Sequence, residues 1–400
     1  MGLQQQISKF IFLSCLTVVI ISFSSLIFPA LLIEISNDVV KKNVNLFEFG
    51  KWSVPLIVSN IIFIGGYILH KKNKLPLKIA EIFNFINDKD ISKRKTLVIL
   101  LVLFSIYSVF SIDELYREEF ELGDYKSLPD TAKNFKIESI SSTIEIRYFL
   151  LHVSYVVFNN IRILPFVASI ALLLITYFLT FELTKKRLSS LIAFIVLLQS
   201  NLFLLFDTTA TYENFWTAFY FFSLYLIFRK PSFSAVSFFF SMAKPLVITY
   251  LPISIFAIST KKNSTQNKTI LLVSYGIIIL IILVAFLTNN LPHTSTLNID
   301  FNYNRLISSF NELGNSLRFD NLILVLLIPT LIILGNKSGE IKNRINLIFV
   351  GIFFVIISQP IMYSLIGMTL QPYRFIPLIV FCAIGIGMMF SNSKILDQES

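Results

Sequence analysis

The chain alternates between long apolar runs and short charged ones. The apolar runs fall at about 7–34, 54–70, 96–112, 163–181, 188–206, 215–228, 234–243, 246–258, 269–287, 321–335, 345–367 and 374–390. Most reach or approach the ~17–25 residues that a membrane-crossing helix needs. In hydrocarbon a backbone must satisfy its own polar groups, so the pattern predicts helices rather than open sheets. The expected fold is an all-α polytopic membrane protein with about twelve transmembrane helices. The two short runs 234–243 and 246–258 predict a hairpin reaching only part-way across. It breaks at Lys244-Pro245, where proline disturbs a helix. The first run is longer than a signal-peptide core and precedes no small-residue cleavage site, so it is expected to stay as a helix.

Composition agrees. Of 400 residues 55% are hydrophobic and 14% charged, against about half and about a quarter in soluble domains. The net charge of +10 does not point to nucleic acid, because the bases gather in short loops between apolar runs. The loop 71–95 carries Lys71, Lys72, Lys74, Lys78, Lys89, Lys93, Arg94 and Lys95, which predicts a cytoplasmic side. Alternate loops repeat the bias at 185–187, 229–230, 261–262 and 337–344, while 207–214 and 288–320 hold few bases. Both termini are then expected inside. The sequon-like stretches 263–265 and 267–269 fall on the inner side and would not be glycosylated. Cys15 and Cys382 are far apart in apolar runs, and His70, His152 and His293 have no ligand spacing.

One stretch stands out on the outer side. "FSIDELYREEFELGD", 110–124, sets down six carboxylates where an uncharged run of seventeen residues ends. The loop 113–146 holds nine acids and four bases, and "RYFLLHVSYVVF", 147–158, suits a helix lying in the outer interface. Composition alone favours a solvated helix exit for Asp113 and Glu114, since charges at helix ends are cheap.

Further along, "NNIRILPF" leads into an inward run, a basic turn at 185–187, an outward run, the outer loop with Tyr212, and a run ending at Arg229. "SMAKPLVITYLPI", 241–253, and "LQPYRFIPLIVF", 370–381, follow. In this order, over roughly residues 96–390, the chain resembles the GT-C superfamily of membrane glycosyltransferases, such as protein O-mannosyltransferases and aminoarabinose transferases of lipid A. Asp113-Glu114 is similar to the acidic pair opening that family's first outer loop. The family's His-Pro-Pro before the interfacial helix is absent, with "STIEIR" at 142–147 in its place. Thr211 stands where many members have Arg. Residues 1–95 have no counterpart in the simplest members, and 391–400 form a polar tail.

The resemblance implies a GT-C-like bundle whose first outer loop carries an interfacial helix. It also implies transfer of a sugar from a polyprenyl-phosphate carrier to a lipid, glycan or protein acceptor outside the cytoplasm, with inversion. An attacking hydroxyl must lose a proton, so a carboxylate should act as general base, typically worth ~10²–10⁴ in rate. The phosphate leaving group calls for fixed cations. The expected base is Asp113 or Glu114, with Arg374, Lys244 and Arg162 at the donor phosphate. For Arg374 the plain alternative is a snorkelling interfacial residue, and for Arg162 a structural anchor. Tyr212, Glu213 and His152 are candidates for an acceptor groove, although an interfacial aromatic belt explains Tyr212 as well and a histidine such as His152 is more often packed in the interface than catalytic. No Gly-rich loop follows a strand pattern, so no nucleotide is expected. The acidic pair lacks Asp-X-Asp spacing, which favours a metal-independent site, a divalent metal being the alternative. Rival readings are a lipid or sugar transporter or flippase, a surface-polysaccharide polymerase or ligase, and an inactive relative.

Overall fold

The structure, a computed structural model, describes residues 3–30, 45, 47–119, 128–136, 146–210, 214–261, 265–287, 301–337, 341–366 and 371–391. These form helices and no strands. In chain order they are α1 (Leu3–Ile27), α2 (Ser53–Lys71), α3 (Leu77–Asp88), α4 (Lys93–Leu115), α5 (Leu128–Lys133), α6 (Ile146–Phe158), α7 (Ile163–Thr184), α8 (Arg187–Leu198) and α9 (Asn201–Phe206). Then come α10 (Phe215–Arg229), α11 (Ser234–Ser241), α12 (Leu251–Thr260), α13 (Thr265–Leu287), α14 (Tyr303–Leu317), α15 (Asn321–Gly335), α16 (Ile341–Ile366) and α17 (Ile376–Met389). Short 3₁₀ turns cover Pro231–Phe233, Pro245–Tyr250 and Pro372–Phe375.

Among the described residues six helices are long and apolar enough to cross a membrane: Gln5–Ile27, Ser53–Lys71, Lys93–Tyr116, Ile163–Thr184, Lys342–Leu365 and Pro372–Met389. Shorter apolar helices occupy several other expected spans, among them Arg187–Leu198, Phe215–Arg229, Leu246–Thr260 and Asn321–Gly335. A helix of 15 residues, such as Phe215–Arg229, is about 22 Å long, short of a ~30 Å hydrocarbon core. The run 188–206 is divided at Gln199 and Ser200 into α8 and α9. The expected break at Lys244-Pro245 is present. Helix α11 ends at Ser241, Lys244 is extended, and a 3₁₀ turn leads into α12.

The burial pattern argues for lipid as the solvent. In α4 the buried residues are Thr96, Tyr107 and Ser111, whereas Val109 and Phe110 are 67% and 78% exposed. In α2 Ser53, Leu56 and Asn60 are buried while Val54, Ile61 and Ile62 face out. Water would strongly penalise so much contiguous apolar surface. Hydrocarbon does not, and it favours turning hydroxyls and amides inward. These long apolar helices suggest a membrane protein.

The chain folds as two compact units interleaved in sequence. The first comprises Met1–Ile91, Leu183–Leu202 and Asn298–Ser400. Its centre is α17, buried along Ile376–Met388 and packed on α8, α15 and α16, with α1 against α14 and α16. The α1–α14 approach is close. A Cβ at Gly314 would stand 2.9 Å from the Ser22 carbonyl oxygen, so only glycine fits there. Asp320, fully buried, is explained by capping: Oδ1 accepts the Ile323 N–H at 3.0 Å at the start of α15, and Oδ2 accepts the Ser200 hydroxyl. The second unit comprises Ser92–Glu182 and Phe203–Leu297. In it α10 packs on α11 and α12, and α13 on α11 and α12. A buried cluster of Leu128, Ala132, Leu151, Ala168, Ala210 and Phe215 joins α5 to α6, α7 and α10.

Candidate functional site

A helix ends with carbonyls that have no partner within it, and these need donors from elsewhere. At the end of α4 the donors come from the turn before α7. Arg162 Nη1 donates to the Glu114 carbonyl at 2.8 Å and Nη2 to the Glu118 carbonyl at 2.7 Å, while Asn160 Nδ2 donates to the Leu115 carbonyl at 2.8 Å. A guanidinium at this terminus also meets the negative end of the helix dipole. Arg162 is buried, and its Nε lies 2.9 Å from Glu119 Oε2. That Nε–H is turned off the line to the carboxylate, so the contact is an ion pair rather than a straight hydrogen bond. The same Glu119 oxygen accepts the Ala210 N–H at 3.2 Å, drawing the segment after α9 onto the acidic turn.

Local chemistry sets the guanidinium in place. Asn160 Oδ1 accepts the Arg162 N–H at 2.8 Å. Ser154 Oγ donates to the Asn160 carbonyl at 2.6 Å and accepts the Leu164 N–H at 3.1 Å. Asn159 has a φ of 51°, in the left-handed region that asparagine tolerates better than most residues.

Beside this turn lies a second polar group that the sequence reading missed. Asp207, buried, accepts the Tyr107 hydroxyl at 2.6 Å through Oδ2. Its carbonyl accepts Ser169 Oγ at 2.7 Å, and that hydroxyl accepts Asn214 Nδ2 at 2.8 Å. Oδ1 of Asp207 meets no well-aligned donor among the described residues. Burial pushes the Asp207 carboxyl up to about 7, against the hydrogen bond from Tyr107 and with a further push from the charge of Glu114. An aspartate at the end of an apolar run and a tyrosine inside another are legible singly. Nothing local pairs them.

Asp113 is exposed on the last turn of α4; Glu114 is half-buried, with Arg117 3.5 Å away. Arg162 is brought to Glu114 through the backbone carbonyl and to Glu119 through the side chain. Lys244, in the same unit, is half-buried at the break before Pro245. His152 donates from Nδ1 to the Ala132 carbonyl at 2.8 Å and lies 5.9 Å from the Phe135 ring, which ties α6 to α5. Arg374 belongs to the other unit. Its guanidinium lies 5.7 Å from the Tyr373 ring centre, and its carbonyl accepts Gln359 Nε2 at 3.1 Å. Thr211, Tyr212 and Glu213 lie outside the described residues, as do His293, much of the outer loop 113–146 and the tail from 392.

Among the described residues no three His, Cys, Asp or Glu side chains gather as a metal-ligand set. Cys15 and Cys382 are free thiols, both buried. No family model matches the chain, and neither a curated protein nor a solved structure matches it.

Proposed function

We propose that this chain is a polytopic membrane glycosyltransferase of GT-C-like architecture, with about twelve membrane segments, both termini cytoplasmic and its active site extracytoplasmic. It moves a sugar from a polyprenyl-phosphate carrier to an acceptor hydroxyl. Asp113 or Glu114 takes the hydroxyl proton as the oxygen attacks the anomeric carbon. The bond from that carbon to the phosphate oxygen breaks on the opposite face, and the electron pair leaves with the phosphate. Lys244, in the same unit as the acidic pair, takes up the charge that develops there. Two N–H groups of Arg162 already serve the Glu114 and Glu118 carbonyls and its charge is paired with Glu119, so in this reading it acts as a positioning residue.

The observation that carries the proposal is the capped end of α4. A solvated helix exit frays, whereas this one is fixed by a buried arginine and an asparagine on its terminal carbonyls. A general base must be held within hydrogen-bonding reach of its proton, and a fixed acidic turn meets that demand. The order of the short motifs along the chain and the alternation of loop charges support the same reading.

The test is transfer of label from polyprenyl-phosphate sugars in membranes carrying the wild type, Asp113→Asn, Glu114→Gln or Lys244→Ala. The base variant is expected to lose ~10²–10⁴ of the rate. Undiminished transfer in all three removes the proposed site. One observation favours a transporter instead: Asp207 is a buried carboxylate that titrates near neutrality, the kind of group proton-coupled carriers use. Proton-dependent flux into reconstituted vesicles without sugar transfer decides for that reading.

A further inference from the structure

Between α2 and α4 the chain forms a helix where the sequence reading expected only a basic loop. Pro76 starts α3, its carbonyl accepting the Ile79 and Ala80 N–H groups at 2.9 and 3.0 Å. At about 100° per residue, Ile79, Ile82 and Ile86 share one face, with Phe85 beside it, and Glu81, Asn84 and Asp88 the other. The apolar face is not covered by protein: Ile82 is 60% and Phe85 57% exposed.

Three contacts fix where this bare face sits. Helix α3 begins six residues after Lys71, where the candidate span Ser53–Lys71 ends. Its other end is held by Lys186, in the turn just after the candidate span Ile163–Thr184. Lys186, fully buried, donates from Nζ to the carbonyls of Ile86 at 2.6 Å, Asn87 at 2.9 Å and Phe390 at 2.9 Å. Phe390 directly follows the candidate span Pro372–Met389. Asp90 adds an ion pair to Arg187 at 3.6 Å and accepts the Leu188 N–H at 2.9 Å. The helix is therefore tethered at the ends of three candidate spans, the depth expected of the headgroup layer.

Charge completes the pattern. Residues 71–89 carry five lysines, Lys71, Lys72, Lys74, Lys78 and Lys89, all exposed, against Glu81 and Asp88 on the polar face. Lys89 Nζ lies 4.6 Å from the Phe85 ring centre, an ammonium drawn to the edge of the apolar side. We propose that α3 is an in-plane membrane helix that binds anionic phospholipid. Its apolar face sits among acyl chains, and the lysines hold headgroup phosphates. This inference is independent of any sugar chemistry.

The test uses the full chain in nanodiscs of phosphatidylcholine with or without phosphatidylglycerol. Because Cys15 and Cys382 are buried, a cysteine introduced at Ile82→Cys or Asn84→Cys is the accessible thiol for a polarity-sensitive fluorophore. The label at 82 is expected to be blue-shifted and quenched by nitroxide lipids, and the label at 84 by aqueous iodide. Equal iodide quenching at both positions overturns the placement. For the headgroup, retention of phosphatidylglycerol through detergent extraction is read by native mass spectrometry in the wild type and in K71Q/K72Q/K74Q/K78Q. Affinity is expected to fall about fivefold per lysine removed. Unchanged retention overturns the lipid proposal. So does inorganic phosphate binding to the solubilised protein that the variant loses, since the ligand would then be a soluble anion.

Discussion

Tyr107 donates its hydroxyl to Asp207 across 2.6 Å, joining the middle of α4 to the segment after α9. The bond places a carboxylate where water does not reach it, and this fixes how the protein responds to pH. The folded-state value of Asp207, about 7, lies above the ordinary 3.8. Between those values the folded chain holds a proton that the unfolded chain has lost. Stability from this group is thus fully present below about pH 4 and is lost as the pH rises through about 7. The difference is on the order of 4 kcal/mol. Thermal unfolding of the detergent-solubilised protein from pH 4 to 8 should show wild type losing stability relative to Asp207→Asn, which has no proton to release there. Parallel pH profiles would remove the assignment.

Removing the phenol tests the other side of the bond. Tyr107→Phe leaves Asp207 without its donor, so its proton affinity should rise further and its transition move to higher pH. The expected cost is about 1–3 kcal/mol near neutrality, the usual range for an orphaned buried polar group. In Tyr107→Phe combined with Asp207→Asn the cost should be less than the sum of the two single changes.

What the sequence made legible follows from the range of each interaction. The long helices are readable because lipid demands an uninterrupted apolar run, and the break at Lys244 because proline acts on its immediate neighbours. Arg162 is readable as an anchor, being a lone charge before Leu-Pro and an apolar run. Helix α3 was missed because its twelve residues carry only three turns of pattern, and the lysines around it dominate the reading of 71–95. The pairing of Tyr107 with Asp207 spans 100 residues and leaves no local period at all. The same holds for Lys186, which looks like one more cytoplasmic base and is in fact buried on three carbonyls.

Lys186 and Lys337 form a second testable pair. Lys337 Nζ donates to the carbonyls of Met388, Met389 and Ser391, and Lys186 to that of Phe390, so two ammonium groups close the end of α17. Burial, with the charge of Lys186 added, lowers Lys337 to about 8. A lowered amine reverses the sign found for Asp207. Between about 8 and the ordinary 10.5 the unfolded chain holds the extra proton, so stability rises with pH across that window. Lys337→Met should lessen this rise in thermal scans, the lowered Lys186 supplying part of what remains. Lys186→Met should quicken amide exchange around 85–90, where the end of α3 loses its donor.

The ion pair between Arg162 and Glu119 gives the most severe expected effect. Both side chains are less than a tenth exposed, so removing either strands a charge away from water. Arg162→Ala also removes one donor from each of the Glu114 and Glu118 carbonyls. A loss of about 3–5 kcal/mol is expected, as for other broken buried pairs. Glu119→Gln keeps an oxygen for the Ala210 N–H and should cost less. Arg162→Ala with Glu119→Gln should recover part of the loss, because the stranded carboxylate is gone. Limited proteolysis separates a local effect from a global one. If the guanidinium acts by fixing the acidic turn, Arg162→Ala exposes 113–119 to cleavage at temperatures where the rest of the chain resists. Cleavage that begins everywhere at once would mean that Arg162 supports the whole unit, leaving the acidic turn with no special dependence on it.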